Sequence, residues 1–194
     1  MSKPRRISRA VLAALLLVLL LGPPVDATRI VANDSATIGD VRTVISAQYA
    51  YSSLNGARRA RDQENFDGRL ECLAAPRGCI PGYAKTEPEI LDRIFVDRPT
   101  RHGYAFSFLA GPALDPAAAR KAGASPTTVT SFTYVGVPLR PQSKYPDGLF
   151  SCGPGSTGRY GYCGDSTGNI CYTPDGSMPP VKDGRCDPCH HPLH

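Results

Sequence analysis

Tryptophan is absent and methionine occurs only twice among 194 residues, while cysteine occurs seven times. That bias points to sulfur used for crosslinks more than for filling a core, and so to an oxidising compartment. No internal repeat is visible, which excludes a solenoid or a coiled coil. None of G-x-S-x-G, H-E-x-x-H, the P-loop or the dinucleotide fingerprint is present, so the familiar hydrolase, zinc-protease and nucleotide-binding chemistries have no footing. Nineteen Gly and nineteen Pro, about a fifth of the chain, argue for many turns and few long helices. The length fits one globular domain.

Long apolar runs are also missing, with one exception. Ala10 to Gly22 is thirteen residues long, short of the roughly 20 that a bilayer-spanning helix needs. Lys3, Arg5, Arg6 and Arg9 precede it, Pro23 and Pro24 follow, and Val25-Asp26-Ala27 supplies small residues at the minus-three and minus-one positions. This is the pattern of a secretory signal peptide cleaved between Ala27 and Thr28. The alternative is an uncleaved short anchor, with membrane contact through this segment alone. Removing four basic residues and Asp26 takes +3 from the formal charge of +5 and leaves +2, too little to argue for nucleic acid. The expected organisation is a signal peptide over 1–27, a domain over 28–185 and a Cys/His-rich tail over 186–194.

In the mature chain, Asn33, Asp34 and Ser35 are good N-cap residues, and Ile38, Val41, Ile45 and Tyr49 then recur at helical spacing. The spacing predicts an amphipathic helix from Ala36 to about Ser53, ended by Asn55-Gly56. The charged stretch Ala57 to Gly68 reads as a solvated loop. Cys72 and Cys79 bracket a short Pro- and Gly-containing loop, which predicts a local disulfide. Thr86-Glu87-Pro88-Glu89 has the form of a capping box leading a short helix through Ile90, Leu91 and Ile94, stopped by Pro99. Strands are expected over Gly103 to Leu109 and Thr128 to Pro138. A hairpin of Arg159 to Cys163 with Asn169 to Thr173 should turn through Gly164 to Gly168. Pro112 to Pro126 reads as either a loop or a short helix. The fold class implied is α+β, one amphipathic helix packed on a small antiparallel sheet with disulfide-bearing loops.

These segments, in their order, resemble the globular part of bacterial type IV pilins and type II secretion pseudopilins. Asn33 to Val44 (N-D-S-A-T-I-G-D-V-R-T-V) is similar to the N-E-A-S-A-x-G-S-L-R-T-I segment that continues the N-terminal helix in that family. Leu70 to Tyr83 with Cys72 and Cys79, His102-Gly103-Tyr104, Gly155-Ser156-Thr157-Gly158 and Cys163-Gly164-Asp165-Ser166-Thr167-Gly168 are similar to its loops and last hairpin. The likeness runs from about Val31 onward. It departs at the N-terminus: Ala10 to Leu21 contains neither Glu nor Phe, whereas a prepilin has a G-F-T-L-I-E start whose acidic residue pairs with a neighbouring subunit. The resemblance implies a pilin-like head on a secretory signal, without the shared apolar spine of a filament. It implies a structural or cell-surface role rather than catalysis, and pilus or secretion-system proteins as partners.

The sharpest local chemistry is Cys186-Asp187-Pro188-Cys189-His190, the C-x-x-C-H spacing of covalent haem attachment. With His191 and His194 the tail also holds ligands suited to zinc or copper. The third reading is disulfides, either Cys186 with Cys189 or each with a partner in the hairpin, where Cys163 with Cys171 is itself a candidate bridge. An odd count of seven leaves one cysteine over. Met178 is the one candidate for a distal haem ligand. No catalytic residue is assigned. Asp165-Ser166-Thr167-Gly168 is one residue too long for the D-[ST]-G loop of aspartic proteases and reads as a turn. Asn33-Asp34-Ser35 is a formal glycosylation sequon. The tyrosines Tyr49, Tyr51, Tyr160, Tyr162 and Tyr172 read as core aromatics on a half-buried sheet.

Overall fold

The computed structural model describes residues 25–54, 65–80, 82–84, 86–121, 124–144, 150–151 and 155–193. The basic and apolar leader, Asn55-Gly56, most of the charged loop, Cys152 and His194 lie outside the described residues.

The longest element is helix α1, Val25–Leu54. Ile30, Val41, Val44, Ile45, Ala47 and Tyr51 are buried along it, at the three- and four-residue spacing that puts side chains on one stripe. The helix begins well before Ala36, so Asn33, Asp34 and Ser35 are interior residues and not caps. The reason is tertiary. The Asn33 amide donates to the Thr157 carbonyl at 2.8 Å, and Asp34 accepts from Tyr104 and Arg159. Partners on the strand Tyr104–Ala110 and in the loop before the strand Gly161–Asp165 take the Asn33 and Asp34 side chains away from the local backbone they would otherwise cap. The abundance of Gly and Pro does not break the element, because its 30 residues include Gly39 alone and no proline.

After α1 come strand β1 (Phe66–Asp67), helix α2 (Leu70–Ala74) and a 3-10 turn at Pro76–Gly78. The capping-box segment Thr86 to Arg93 is not helical. The Ile90 and Leu91 amides both donate to the Leu73 carbonyl, at 3.1 and 3.2 Å, and this tertiary capture replaces the i→i−4 ladder. A single helical turn, α3, follows at Ile94–Asp97, its first amide bound by Asp92 Oδ1 at 2.8 Å. Next are β2 (Thr100–Arg101), β3 (Tyr104–Ala110), the short helix α4 (Pro116–Lys121), β4 (Thr128–Val129) and β5 (Phe132–Pro138). Thr130 and Ser131 therefore split the single strand expected over Thr128 to Pro138. The chain closes with β6 (Ser143–Lys144), β7 (Phe150–Ser151), β8 (Gly161–Asp165), β9 (Ile170–Thr173), β10 (Val181–Lys182), β11 (Arg185–Cys186) and β12 (Pro192–Leu193).

Six strands form one antiparallel sheet in the order β12-β9-β8-β5-β3-β2. Helix α1 lies across one face. Register aligns Phe108, Tyr134, Gly164 and Ile170 in one row, and Phe106, Gly136, Tyr162 and Tyr172 in the next. The two glycines sit where the helix comes closest. A Cβ on Gly164 would stand 2.2 Å from Val41 Cγ1, and one on Gly136 would stand 2.9 Å from Thr37 Cγ2. Close helix approach thus requires glycine in each row, while the flanking aromatics fill the space on either side. Phe66 and Phe132 meet edge-on at 4.9 Å, and Phe106 stacks on Tyr134 at 5.4 Å.

On the opposite face Val135, Cys163, Cys171 and Cys186 form a second, smaller core with Leu109, Val137 and Val181 against it. The architecture is mixed α and β with antiparallel sheets and three disulfides. Among the described residues no helix is long and apolar enough to cross a membrane.

Candidate functional site: the disulfide-tied C-terminal tail

Cys163 and Cys171 stand directly opposite each other in the β8–β9 hairpin, yet they are not bonded to one another. Cys163 is joined to Cys186 and Cys171 to Cys189, with Cα separations of 6.0 and 5.5 Å. This corrects the hairpin bridge expected from sequence. Side chains opposed across a ladder share one face, and here that face is covered by the returning tail. Each sulfur is directed to the incoming C-x-x-C segment. Of the pairings open to the tail, the structure therefore has each of its cysteines bonded to a hairpin partner. The third bond joins Cys72 and Cys79, whose Cα atoms are 5.4 Å apart. Arg69 reaches over it, with Nη2 3.1 Å from Cys72 Sγ.

The Asp165-Ser166-Thr167-Gly168 turn anchors the same region. Asp165 is buried. Its Oδ1 accepts from the Thr167 amide at 2.9 Å and from the Thr167 hydroxyl, and its Oδ2 accepts from the Cys186 amide at 2.9 Å. One carboxylate thus closes the hairpin turn and ties β11 to it, a structural use of all three donors. Gly168 adopts φ +82°, the left-handed conformation that closes the turn.

Covalent haem attachment needs two free thiols, and both sulfurs of the C-x-x-C pair are engaged in disulfides in this structure. His190 is exposed. His191 stacks on Tyr172 with ring centroids 5.1 Å apart, and its carbonyl accepts from the Tyr172 amide at 3.0 Å. Met178, half exposed, lies in an open trough with Pro179, Pro180 and Val181. Among the described residues no group of three or more His, Cys, Asp or Glu side chains is placed to hold a metal ion.

Two buried polar clusters join α1 to the sheet, and sequence reasoning did not single them out. Asp34 Oδ1 accepts from the Tyr104 hydroxyl at 2.5 Å, and Asp34 Oδ2 accepts from Arg159 Nε at 3.1 Å. Burial together with this carboxylate drives the Tyr104 hydroxyl far above the ordinary tyrosine range. In the second cluster, Arg101 pairs with Asp40 at 2.9 Å and donates to the Tyr134 hydroxyl at 3.0 Å. Its guanidinium lies between the rings of Phe95 and Phe106, 4.6 and 4.4 Å from their centroids. The available signal was Asp34 itself, a charged residue four positions after Ile30 within the buried stripe. The sequon at Asn33 is compromised, because the amide nitrogen that would carry a glycan is bonded to Thr157.

No family model, curated protein or solved structure matches this chain.

Proposed function

We propose that the protein is an exported, non-enzymatic, pilin-like head with a structural or cell-surface interaction role, and that it is not a self-assembling pilus subunit. The observation that supports this reading is the helix α1 seated through Asp34, Val41 and Ile45 on an antiparallel sheet whose C-terminal strands are closed by disulfides. The buried charged groups at this seat bind other parts of the fold, which is the behaviour of a scaffold. Three disulfides accord with an oxidising, exported environment. Pilus or secretion-system proteins are the proposed partners, and the mature chain begins at Thr28.

Expression of the full chain in a bacterial host, followed by fractionation, N-terminal sequencing and ultracentrifugation, tests this. The expected result is an exported protein starting at Thr28 that sediments as a small particle. Retention of the apolar segment in the membrane fraction, or homopolymeric filaments in the pellet, would overturn it. A Soret band after expression with haem-attachment machinery would overturn the non-redox assignment.

A further inference from the structure

The two disulfides of the tail differ in how they are held. Cys163 is fully buried and Cys186 nearly so. Cys186 is also fixed by the hydrogen bond its backbone N–H donates to Asp165 and by the β10–β11 pairing, and the backbone N–H of the next residue, Asp187, donates to the Pro180 carbonyl at 3.1 Å. Beyond that point the attachment thins. Cys189 is exposed while its partner Cys171 is buried. The segment after Cys189 is held by two register pairs of β12 on β9, by the Tyr172 amide on the His191 carbonyl, by the His191 ring on Tyr172 and by partly buried Leu193.

We propose that Cys171–Cys189 is a reducible latch that holds the C-terminal strand over the edge of the six-stranded sheet and opens while Cys163–Cys186 stays closed. A dithiol supplies the electrons. One of its thiolates attacks the sulfur of Cys189, the exposed residue of the pair, forming a mixed disulfide and releasing the Cys171 sulfur, which takes up a proton. The second thiolate then displaces Cys189 as a thiol and leaves as the cyclic disulfide, a two-electron transfer. Exposure of one of its two residues, where Cys163 and Cys186 are both buried, favours attack on this bond. Opening it leaves β12 only two strand residues, far below what holds an edge alone. The β9 backbone then becomes an unpaired edge able to accept an extended segment.

The test is a graded dithiothreitol titration of the full, folded chain, trapped with iodoacetamide and mapped by mass spectrometry, with amide exchange recorded in parallel. Alkylation of Cys171 and Cys189 is expected at reductant levels that leave Cys163 and Cys186 joined. Over the same range Tyr172 amide exchange should accelerate at least about tenfold while β5 and β8 stay protected. The Cys189→Ser chain should show the same fast edge without reductant. Opening of Cys163–Cys186 before or together with Cys171–Cys189 overturns the proposal. So does a Tyr172 amide that remains protected once the bond is open, in the titrated protein or in the variant.

Discussion

Asp34, in the third turn of α1, accepts a hydrogen bond of 2.5 Å from the hydroxyl of Tyr104 on β3. Both residues are almost wholly buried, and the same carboxylate takes the Arg159 guanidinium, which is one-third exposed. This contact joins residues 70 positions apart and fixes where the helix lies along the sheet. Asp34→Ala leaves the Tyr104 hydroxyl only the Tyr160 carbonyl, 3.1 Å away, as an acceptor and strips Arg159 of its counter-ion, and should cost about 2–4 kcal/mol. Tyr104→Phe removes the hydroxyl that bonds Asp34 and the Tyr160 carbonyl but leaves the Asp34–Arg159 pair in place, and should cost less, about 1 kcal/mol. Urea unfolding midpoints of the two variants check the order. Equal midpoints for wild type and Asp34→Ala would show that the contact carries no stability.

Burial places the hydroxyls of Tyr51, Tyr104, Tyr134 and Tyr162 above the ordinary tyrosine range. Folded values higher than the unfolded value of about 10 mean that this contribution to stability is intact below pH 10 and is lost as pH rises above it. Absorbance titration at the phenolate band should therefore show these side chains ionising only as the fold opens, in one cooperative step at alkaline pH. A smooth titration of every tyrosine near pH 10, with the fold intact by circular dichroism, would contradict it.

Asp67 is fully buried beneath the C-terminal half of α1. Desolvation raises its pKa despite the bonds its Oδ1 accepts from the Arg69 amide and the Thr127 hydroxyl. Because the folded value lies above the unfolded one, the protonated form stabilises the fold below the unfolded value of about 3.9, and that contribution is lost as pH rises through the folded value. The stability of Asp67→Asn relative to wild type should therefore increase from pH 4 to pH 7. Chemical denaturation across that range reads the trend, and a stability of Asp67→Asn that falls relative to wild type as pH rises would reverse the assignment.

Gly164 sits under Val41 and Ile45, and an added Cβ would come within 2.2 Å of one and 2.9 Å of the other. Gly164→Ala should cost about 1–3 kcal/mol by pushing the helix off the sheet. Combining it with Val41→Ala should recover part of that loss, because the truncated side chain makes room. Melting temperatures of the two single variants and the double variant decide it: a strictly additive double variant would place the strain elsewhere.

The Cys72–Cys79 bond closes a short loop, so its removal by Cys72→Ser with Cys79→Ser should cost at most about 3 kcal/mol. The melting temperature should fall while the sheet survives, since Val41, Val44 and Phe132 bury independently of the loop. Loss of all cooperative unfolding would show that the bond is a condition of folding.

What the sequence determines by itself is local. The stripe of Val41, Ile45 and their neighbours, the loop between Cys72 and Cys79, and the strand alternation around Tyr104, Phe106 and Phe108 are each readable because side chains within one or two turns of chain decide them. The start of α1 was not readable. Asn33 and Asp34 carry capping chemistry, and only the presence of Thr157, Tyr104 and Arg159 across the interface turns them into helix-interior residues. The capping-box helix at Thr86 failed for the same reason, since the Leu73 carbonyl claims the amides that a local helix would have used. Disulfide pairing lay furthest out of reach: three bonds among seven cysteines can be drawn in roughly a hundred ways. Cys163 and Cys171, though opposite each other in the ladder, are each bonded to a cysteine of the tail that covers the face they share. The tertiary structure decided that pairing, because a covalent partner is chosen by which sulfur the fold brings within reach and not by which is nearest along the chain.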